Sequence, residues 1–240
     1  MGPNVDCLIV GHGLAGATLA HALIQRGRRV VVMDDWSPSA TSVAAGVVTP
    51  ITGPRLALTW GFHELLPIAR RFYAECARQW RVAPFFRQRP LIRAFADSEE
   101  QRQLEKQMSR RPDIAALVNP LHPPWPEALA IAPLGAFQTN GAAQLDTRRF
   151  LAASVRALRA RGALIRSAFD WHAFDPSTPV TLPDGRRADR VVSCEGYRAL
   201  YNPWFADLPF IPAKGELLRL KLPAAEESRI LNRRGKWLLR

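Results

Sequence analysis

The sequence predicts an α/β chain built on a parallel sheet, and three observations predict it. An apolar run, Cys7-Leu8-Ile9-Val10, breaks into Gly11-His12-Gly13-Leu14-Ala15-Gly16 and continues as an Ala/Leu-rich segment to Gly27. A second apolar run, Val30-Val31-Val32-Met33, ends on Asp34. Much later, a helical pattern from Asp146 to Gly162 leads straight into a third run, Ala163-Leu164-Ile165. Strand, glycine turn, helix, strand and acid, in that order, read as the βαβ unit that holds the ADP half of a dinucleotide. Each residue type has a physical reason. Gly11 allows the tight turn, Gly13 lets a pyrophosphate approach the backbone, and Gly16 lets the helix pack closely on the sheet. Leu14 and Ala15 begin the helix, where free N–H groups and the helix dipole favour phosphate. Asp34 is expected to accept hydrogen bonds from the adenosine ribose hydroxyls, with Asp35 beside it in the same site.

Composition narrows the class. The chain has 240 residues, 48% of them hydrophobic, enough for one large domain or two small ones with a sizeable core. Its formal net charge is +12, and of the 33 basic residues only Lys106, Lys214, Lys221 and Lys236 are lysine. The arginines are spread along the chain, so a solvated basic surface is the simpler reading, with nucleic acid left open as a partner. Cys7, Cys76 and Cys194 lie far apart and form no CxxC; Cys7 and Cys194 read as small core residues, which fits a reducing, cytoplasmic setting. The N-terminus has no basic and apolar leader, Met1-Gly2-Pro3 does not continue into a myristoylation pattern, and no apolar run has the length of a membrane span.

After the loop Asp35–Ala40 comes Thr41-Ser42-Val43-Ala44-Ala45-Gly46-Val47-Val48-Thr49-Pro50, a run of small residues that suits either a backbone lying against a flat ligand or a short helix on the sheet. Together, the glycine fingerprint, Asp34 and this Ser-x-Ala-Ala-Gly-x-x-x-Pro segment resemble the FAD-dependent oxidoreductases of the D-amino-acid oxidase and glycine oxidase family. The resemblance implies that Gly11, Gly13, Gly16 and Asp34 hold the ADP moiety of FAD. It places Ser42, Ala45 and Gly46 beside the pyrophosphate and flavin. His12 stands where a small residue is common and is not read as catalytic.

The remaining elements follow in order. Leu65, Ile68, Ala69, Phe72, Tyr73, Cys76 and Trp80 fall at helical spacing and predict an amphipathic helix over 60–80 with that stripe in the core. Phe85 to Phe95 reads as a strand pair or one bent strand, and a second domain starts near here. Ser98-Glu99-Glu100-Gln101 reads as a capping box opening a helix to about Arg110, which Pro112 ends. Pro120 to Pro133 reads as a rigid loop. Gly135-Ala136-Phe137-Gln138 reads as a strand leading to a turn at Asn140-Gly141. Asp146 caps a helix with Phe150, Leu151, Val155 and Leu158 on its apolar face. Val180 to Arg186 is a hairpin turning at Asp184-Gly185. The strand from Arg190 runs into Cys194-Glu195-Gly196, which by the resemblance returns to the cofactor near the first glycine turn. A carboxylate beside a pyrophosphate is costly, so Glu195 is expected to point outward or to bond backbone N–H groups or a hydroxyl. Lys214-Gly215-Glu216 precedes an alternating strand, and two more strands follow at Ile230 and Lys236.

The fold class expected is therefore α/β: a Rossmann-like FAD/NAD(P)-binding domain over 1–82 and 142–209, interleaved with an α+β substrate domain over 83–141 and 210–240. The chain reads as about the first two-thirds of a family member, truncated at its C-terminus. The resemblance implies oxidation of an amine or amino acid by hydride transfer to flavin. Three alternatives stay open: a flavin domain acting on tRNA wobble uridine, a non-catalytic dinucleotide-binding fragment, and NAD in place of FAD. His12, His21, His63, His122 and His172 are scattered, no metal-ligand spacing occurs, and no catalytic residue is named.

Overall fold

The computed structural model describes residues 4–121, 134–218, 228–233 and 235–239. Two compact units emerge: Met1–Ala44 with Glu75–Ala83 and Asp146–Leu218, and Ala45–Ala74 with Pro84–Leu145 and Arg219–Arg240.

The first unit is organised by a four-stranded sheet in the order Leu164–Arg166, Val30–Asp34, Cys7–Val10, Val191–Ser193. Every pairing is parallel, with Cys7 opposite Val30, Val10 opposite Met33 and Leu164 opposite Val32. A parallel sheet is covered on both faces, which is why its central strands are continuously apolar. Alternation still sorts the side chains. Leu8, Val10, Val31 and Met33 pack with Leu182 and Ala188 on one face. Cys7, Ile9, Val30 and Val32 pack with Ala20 and Leu158 on the other. The helices Leu14–Gln25 and Thr147–Arg159 supply the second covering. The hairpin Val180–Thr181 and Arg187–Ala188 supplies the first, turning at Asp184-Gly185 as its sequence predicts. Asp146 caps the second helix by accepting the Arg149 N–H at 3.0 Å.

The second unit holds a five-stranded sheet in the order Lys236–Leu238, Ile230–Arg233, Leu91–Ala94, Ala136–Thr139, Val118–Leu121, and a three-stranded antiparallel sheet of Val47–Val48, Ala143–Leu145 and Phe86–Gln88. One side of the larger sheet buries Phe137 with Ile51, Leu56, Phe95, Leu104, Ile114 and Val118.

Several local expectations change. Phe86–Gln88 and Leu91–Ala94 are separate strands in different sheets, because Pro90 interrupts the run between them. The helix expected over 60–80 spans Phe62–Gln79, but Leu65 and Ile68 are exposed, and burial falls on Phe62, Tyr73, Cys76 and Ala77. The capping box sits one residue early: Asp97 accepts the Glu100 N–H at 2.9 Å, and Glu100 reaches back to the Ala96 N–H at 2.7 Å. Pro112 opens a second short helix, Pro112–Ala115, immediately after the first. Leu217 and Leu218 lie in no strand, and the rest of the strand expected after Lys214-Gly215-Glu216 lies outside the described residues, as does most of the Pro120–Pro133 loop.

Glu100 also pairs with Arg93, whose Nε donates to it at 2.7 Å, and the two side chains are only 11% and 15% exposed. Glu100→Ala leaves a largely buried guanidinium without its carboxylate and removes the cap, so a loss of about 2–4 kcal/mol is expected in urea unfolding, with Glu100→Gln costing less.

Candidate functional site

The glycine turn is a set of backbone contacts. Gly11 has φ +102°, and a Cβ on it would lie 2.5 Å from the Cys194 carbonyl oxygen. A Cβ on Gly16 would lie 1.9 Å from the Gly11 carbonyl oxygen. Both glycines are therefore demanded by the chain's own packing. Gly13 differs. Its φ of −78° suits any residue, and a Cβ there would meet only Thr41 Oγ1 at 3.4 Å, ordinary contact. Among the described residues nothing requires glycine at 13, and its bare backbone leaves room for a ligand to approach closely. Gly13 is also the N-cap of the Leu14–Gln25 helix, which has no side-chain cap from it and no acid in its first turn. The Leu14 N–H donates to Thr41 Oγ1 at 3.0 Å. An open helix N-terminus of this kind suits a phosphate, so the residues present fit the ADP half of a dinucleotide.

Asp34 ends its strand at this turn. Its Oδ2 accepts the His12 N–H at 2.5 Å and its Oδ1 accepts the Trp36 N–H at 2.7 Å. A carboxylate has about four acceptor positions, which leaves capacity for ribose hydroxyls. Asp35 is already engaged: both oxygens lie 3.0 Å from Arg198 Nη1, and the Ser37 N–H donates at 2.9 Å. Burial opposes its charge, but the Ser37 bonds and then Arg198 outweigh it and hold the carboxyl below its usual range.

Cys194-Glu195-Gly196 returns beside the first strand, with the Cys194 N–H bonded to the Val10 carbonyl at 2.7 Å. Glu195 takes the hydroxyl alternative. It accepts from Ser193 Oγ, Trp171 Nε1 and Asn202 Nδ2, each at 2.8 Å. Gly196, at φ +61°, opens the short 3-10 turn Gly196–Tyr201 that carries Arg198.

The small-residue segment divides its roles. Ser42 spends its hydroxyl on the Ser39 carbonyl at 2.7 Å. The neighbouring Thr41 faces the glycine turn, and the sequence reading passed over it. Ala45 and Gly46 belong to the second unit. The Ala45 carbonyl accepts from Gln144 at 3.2 Å, and a Cβ on Gly46 (φ +69°) would lie 1.8 Å from the Leu145 carbonyl.

Two of the histidines expected to be scattered converge. His12 Nε2 and His21 Nε2 lie 2.8 and 2.9 Å from the same Ser154 hydroxyl, and all three residues are buried. Ser154 sits on a helix more than a hundred residues away, so no sequence spacing reveals the contact. Burial holds the His12 pKa down to about 4 against the opposing pull of Asp34. Burial, then His12 and Arg161, holds His21 down to about 3. All three cysteines are free, and burial raises each thiol, Cys76 to about 12. Among the described residues no group of His, Cys, Asp or Glu is placed to hold a metal, and no helix is long and apolar enough to cross a membrane.

A parallel sheet, an uncapped helix N-terminus and a carboxylate at the end of the second strand define a Rossmann-like dinucleotide-binding fold. The chain belongs to the DAO family of FAD-dependent oxidoreductases, whose profile matches residues 6–238. Over 73 residues it is 37% identical to the uncharacterized oxidoreductase YurR of Bacillus subtilis, covering 30% of this chain and 19% of that protein. Glycine oxidase from Geobacillus kaustophilus superposes with a TM-score of 0.73 at 18% identity, over 99% of this chain and 68% of that one. Iminodiacetate oxidase from Chelativorans sp. BNC1 gives 0.60 at 25% identity, over 82% and 57%. L-amino acid deaminase from Proteus vulgaris gives 0.64 at 15% identity, over 84% and 50%. The chain thus spans half to about two-thirds of these solved proteins.

The two unusual glycine environments separate by mutation. Gly16→Ala should abolish folding, seen as loss of a cooperative thermal transition, because its methyl meets backbone that cannot yield. Gly13→Ala should keep stability within about 1 kcal/mol yet weaken FAD at least about tenfold in a fluorescence titration. The buried histidines set an acid limit. Both are neutral in the fold and take up protons on unfolding at their ordinary pKa of 6.5. Their contribution is complete above that pH and falls below it, by about 1.4 kcal/mol per pH unit per imidazole until the folded pKa is reached. Urea midpoints measured from neutral pH down to about pH 4.5 check this slope.

Proposed function

We propose that the first unit binds FAD and that the protein carrying this chain oxidises the C–N bond of an amine or amino acid by hydride transfer to the flavin. The observation that carries the reading is Gly13: a glycine its own surroundings do not need, at an uncapped helix N-terminus that faces Asp34's strand end. In this reading Gly11, Gly13, Leu14, Ala15 and Gly16 hold the pyrophosphate through backbone N–H groups. Asp34 takes the ribose. Ser42, Cys194, Glu195 and Gly196 border the cofactor, and Asp35 supports it through Arg198. The flavin, when bound, supplies the two-electron acceptor; the chain binds it, orients it and excludes charge from its phosphates. We keep the expected division, 1–82 and 142–209 for FAD binding and 83–141 and 210–240 for the substrate domain, except that 45–74 and 142–145 group with the second unit and 83 and 210–218 with the first. Glycine and iminodiacetate, named for the two oxidases above, both carry nitrogen on the carbon beside a carboxylate, which supports the amino-acid class. Three free cysteines, Cys7 and Cys76 buried and Cys194 half-buried, support a cytoplasmic setting.

The arginines bear on the RNA alternative. Exposed Arg29, Arg187 and Arg190 flank the start of the Cys7–Val10 strand, their carbonyls accepting from Asp6, Val5 and Leu8. That is the N-terminal edge of the parallel sheet, and the glycine turn is at the C-terminal edge. Arg198, on Asp35, and Arg159, over Trp36, lie at the glycine-turn edge, so arginines occupy both edges and single out no RNA face.

The absorption spectrum of the purified chain tests the reading. A flavin spectrum, with FAD released on denaturation and bleaching by amino acids or amines, is the expected result. A colourless chain that takes up no added FAD overturns it.

A further inference from the structure

We propose that His12, Ser154 and His21 form a polar strut that positions the glycine turn for the pyrophosphate of bound FAD, so that the residue at 12 sets how tightly the cofactor is held. The inference rests on the FAD reading above and concerns what holds the turn in place.

The geometry is restrictive. The Ser154 hydroxyl has one proton to donate. His12 Nε2 and His21 Nε2 both lie within hydrogen-bond distance of it, at 2.8 and 2.9 Å, in a site where the three residues are 5%, 4% and 0% exposed in the order His12, His21, Ser154. With both rings neutral, one Nε2–H donates to Oγ and Oγ–H donates to the other Nε2. The two imidazoles therefore hold opposite tautomers. Water has no access, so removing any member leaves a buried polar atom without its partner.

His12 is the residue between the first two glycines of the turn, and it is clamped twice. Its main-chain N–H donates to Asp34, and its side chain reaches Ser154 on the Thr147–Arg159 helix. Aromatic rings fix both imidazoles. Trp36 stands edge-on to His12 at 5.9 Å between centroids, and Trp80 packs on His21 at 4.4 Å. Gly11 and Gly13 flank a residue that cannot swing, so the N–H groups of the helix start are aimed before any ligand arrives. Such preorganisation raises affinity by reducing what must be ordered on binding.

Only a second proton defeats the arrangement, because a single imidazolium still donates from Nε2 to Oγ while the other ring accepts, and burial keeps both rings neutral above about pH 5. If both rings donate to Oγ, the Ser154 proton has no acceptor. The charged groups that face the strut pull in different directions: Asp34 favours charge on His12, whereas His12 and Arg161 oppose charge on His21. Arg159 lies over the Trp36 ring at 5.9 Å.

The test is an FAD titration of the apo 240-residue chain by flavin fluorescence at about pH 7.5, beside thermal unfolding of the same apo samples. His12→Ala and Ser154→Ala should each weaken FAD by about tenfold or more. His12→Gln places an amide near the Nε2 position and should stay within about threefold of wild type. Variants that melt earlier but bind FAD as wild type does would reduce the cluster to ordinary packing and overturn the proposal, as would a His12→Gln chain that binds FAD no better than His12→Ala. Where Ser154→Ala does not fold, imidazole 15N shifts of the wild-type chain decide: opposite Nε2 tautomers for His12 and His21 are expected, and a shared tautomer refutes the strut. A wild type that takes up no FAD overturns the cofactor reading and the positioning role together, whereas a wild type and variants that bind alike overturn the strut alone.

Discussion

The contact of Gly16 with the Gly11 carbonyl, backed by the Cys194 carbonyl against Gly11, is the constraint on which the first unit depends. Two strands and a helix meet there with no side chain between them. The close approach lets the Leu14–Gln25 helix lie directly on the sheet, burying Ala17 and Ala20 completely. It brings the last strand's exit, Cys194 to Gly196, to the same place as the first strand's exit. A methylene in that gap would force the helix off the sheet and dissolve the cluster of Cys7, Ile9, Val32 and Leu158.

Around this contact the charges are arranged so that the helix start stays open to an anion. Three carboxylates lie nearby, and each is committed. Asp34 ties the turn to its own strand, Asp35 is paired with Arg198, and Glu195 is surrounded by three donors on the Trp171 side. The two imidazoles closest to the turn are held neutral by burial. Polar groups that would otherwise compete for the helix N-terminus are in this way turned inward and satisfied by one another.

The sheet-forming runs and the helices were legible because their signals are local. Continuous apolar runs bounded by glycine, the Asp146 cap and the Asp184-Gly185 turn each specify an element within a few residues. Local signals failed where a neighbour in space decided the outcome. Leu65 and Ile68 share the helical spacing of Tyr73 and Cys76, yet the period says which residues share a face and not how far along the helix a partner covers it. The run from Phe85 to Phe95 alternates well enough for one bent strand, but strand pairing with residues 143–145 and 136–139 assigns its halves to different sheets.

Of the site, sequence alone determined the glycine turn, the helix start and the acid, since glycines at fixed offsets between a strand and a helix have few other physical uses. The tertiary structure decided what each member is for. Gly11 and Gly16 answer to backbone oxygens from other segments, and Gly13 answers to none. Thr41 rather than Ser42 faces the turn, because the one-turn helix Ala40–Val43 directs adjacent side chains to different sides. His12 and His21 meet at Ser154 only because two helices pack side by side on one face of the sheet. Hydrogen bonds of that kind join residues with no relation in sequence, and only the packing of the chain brings them within reach.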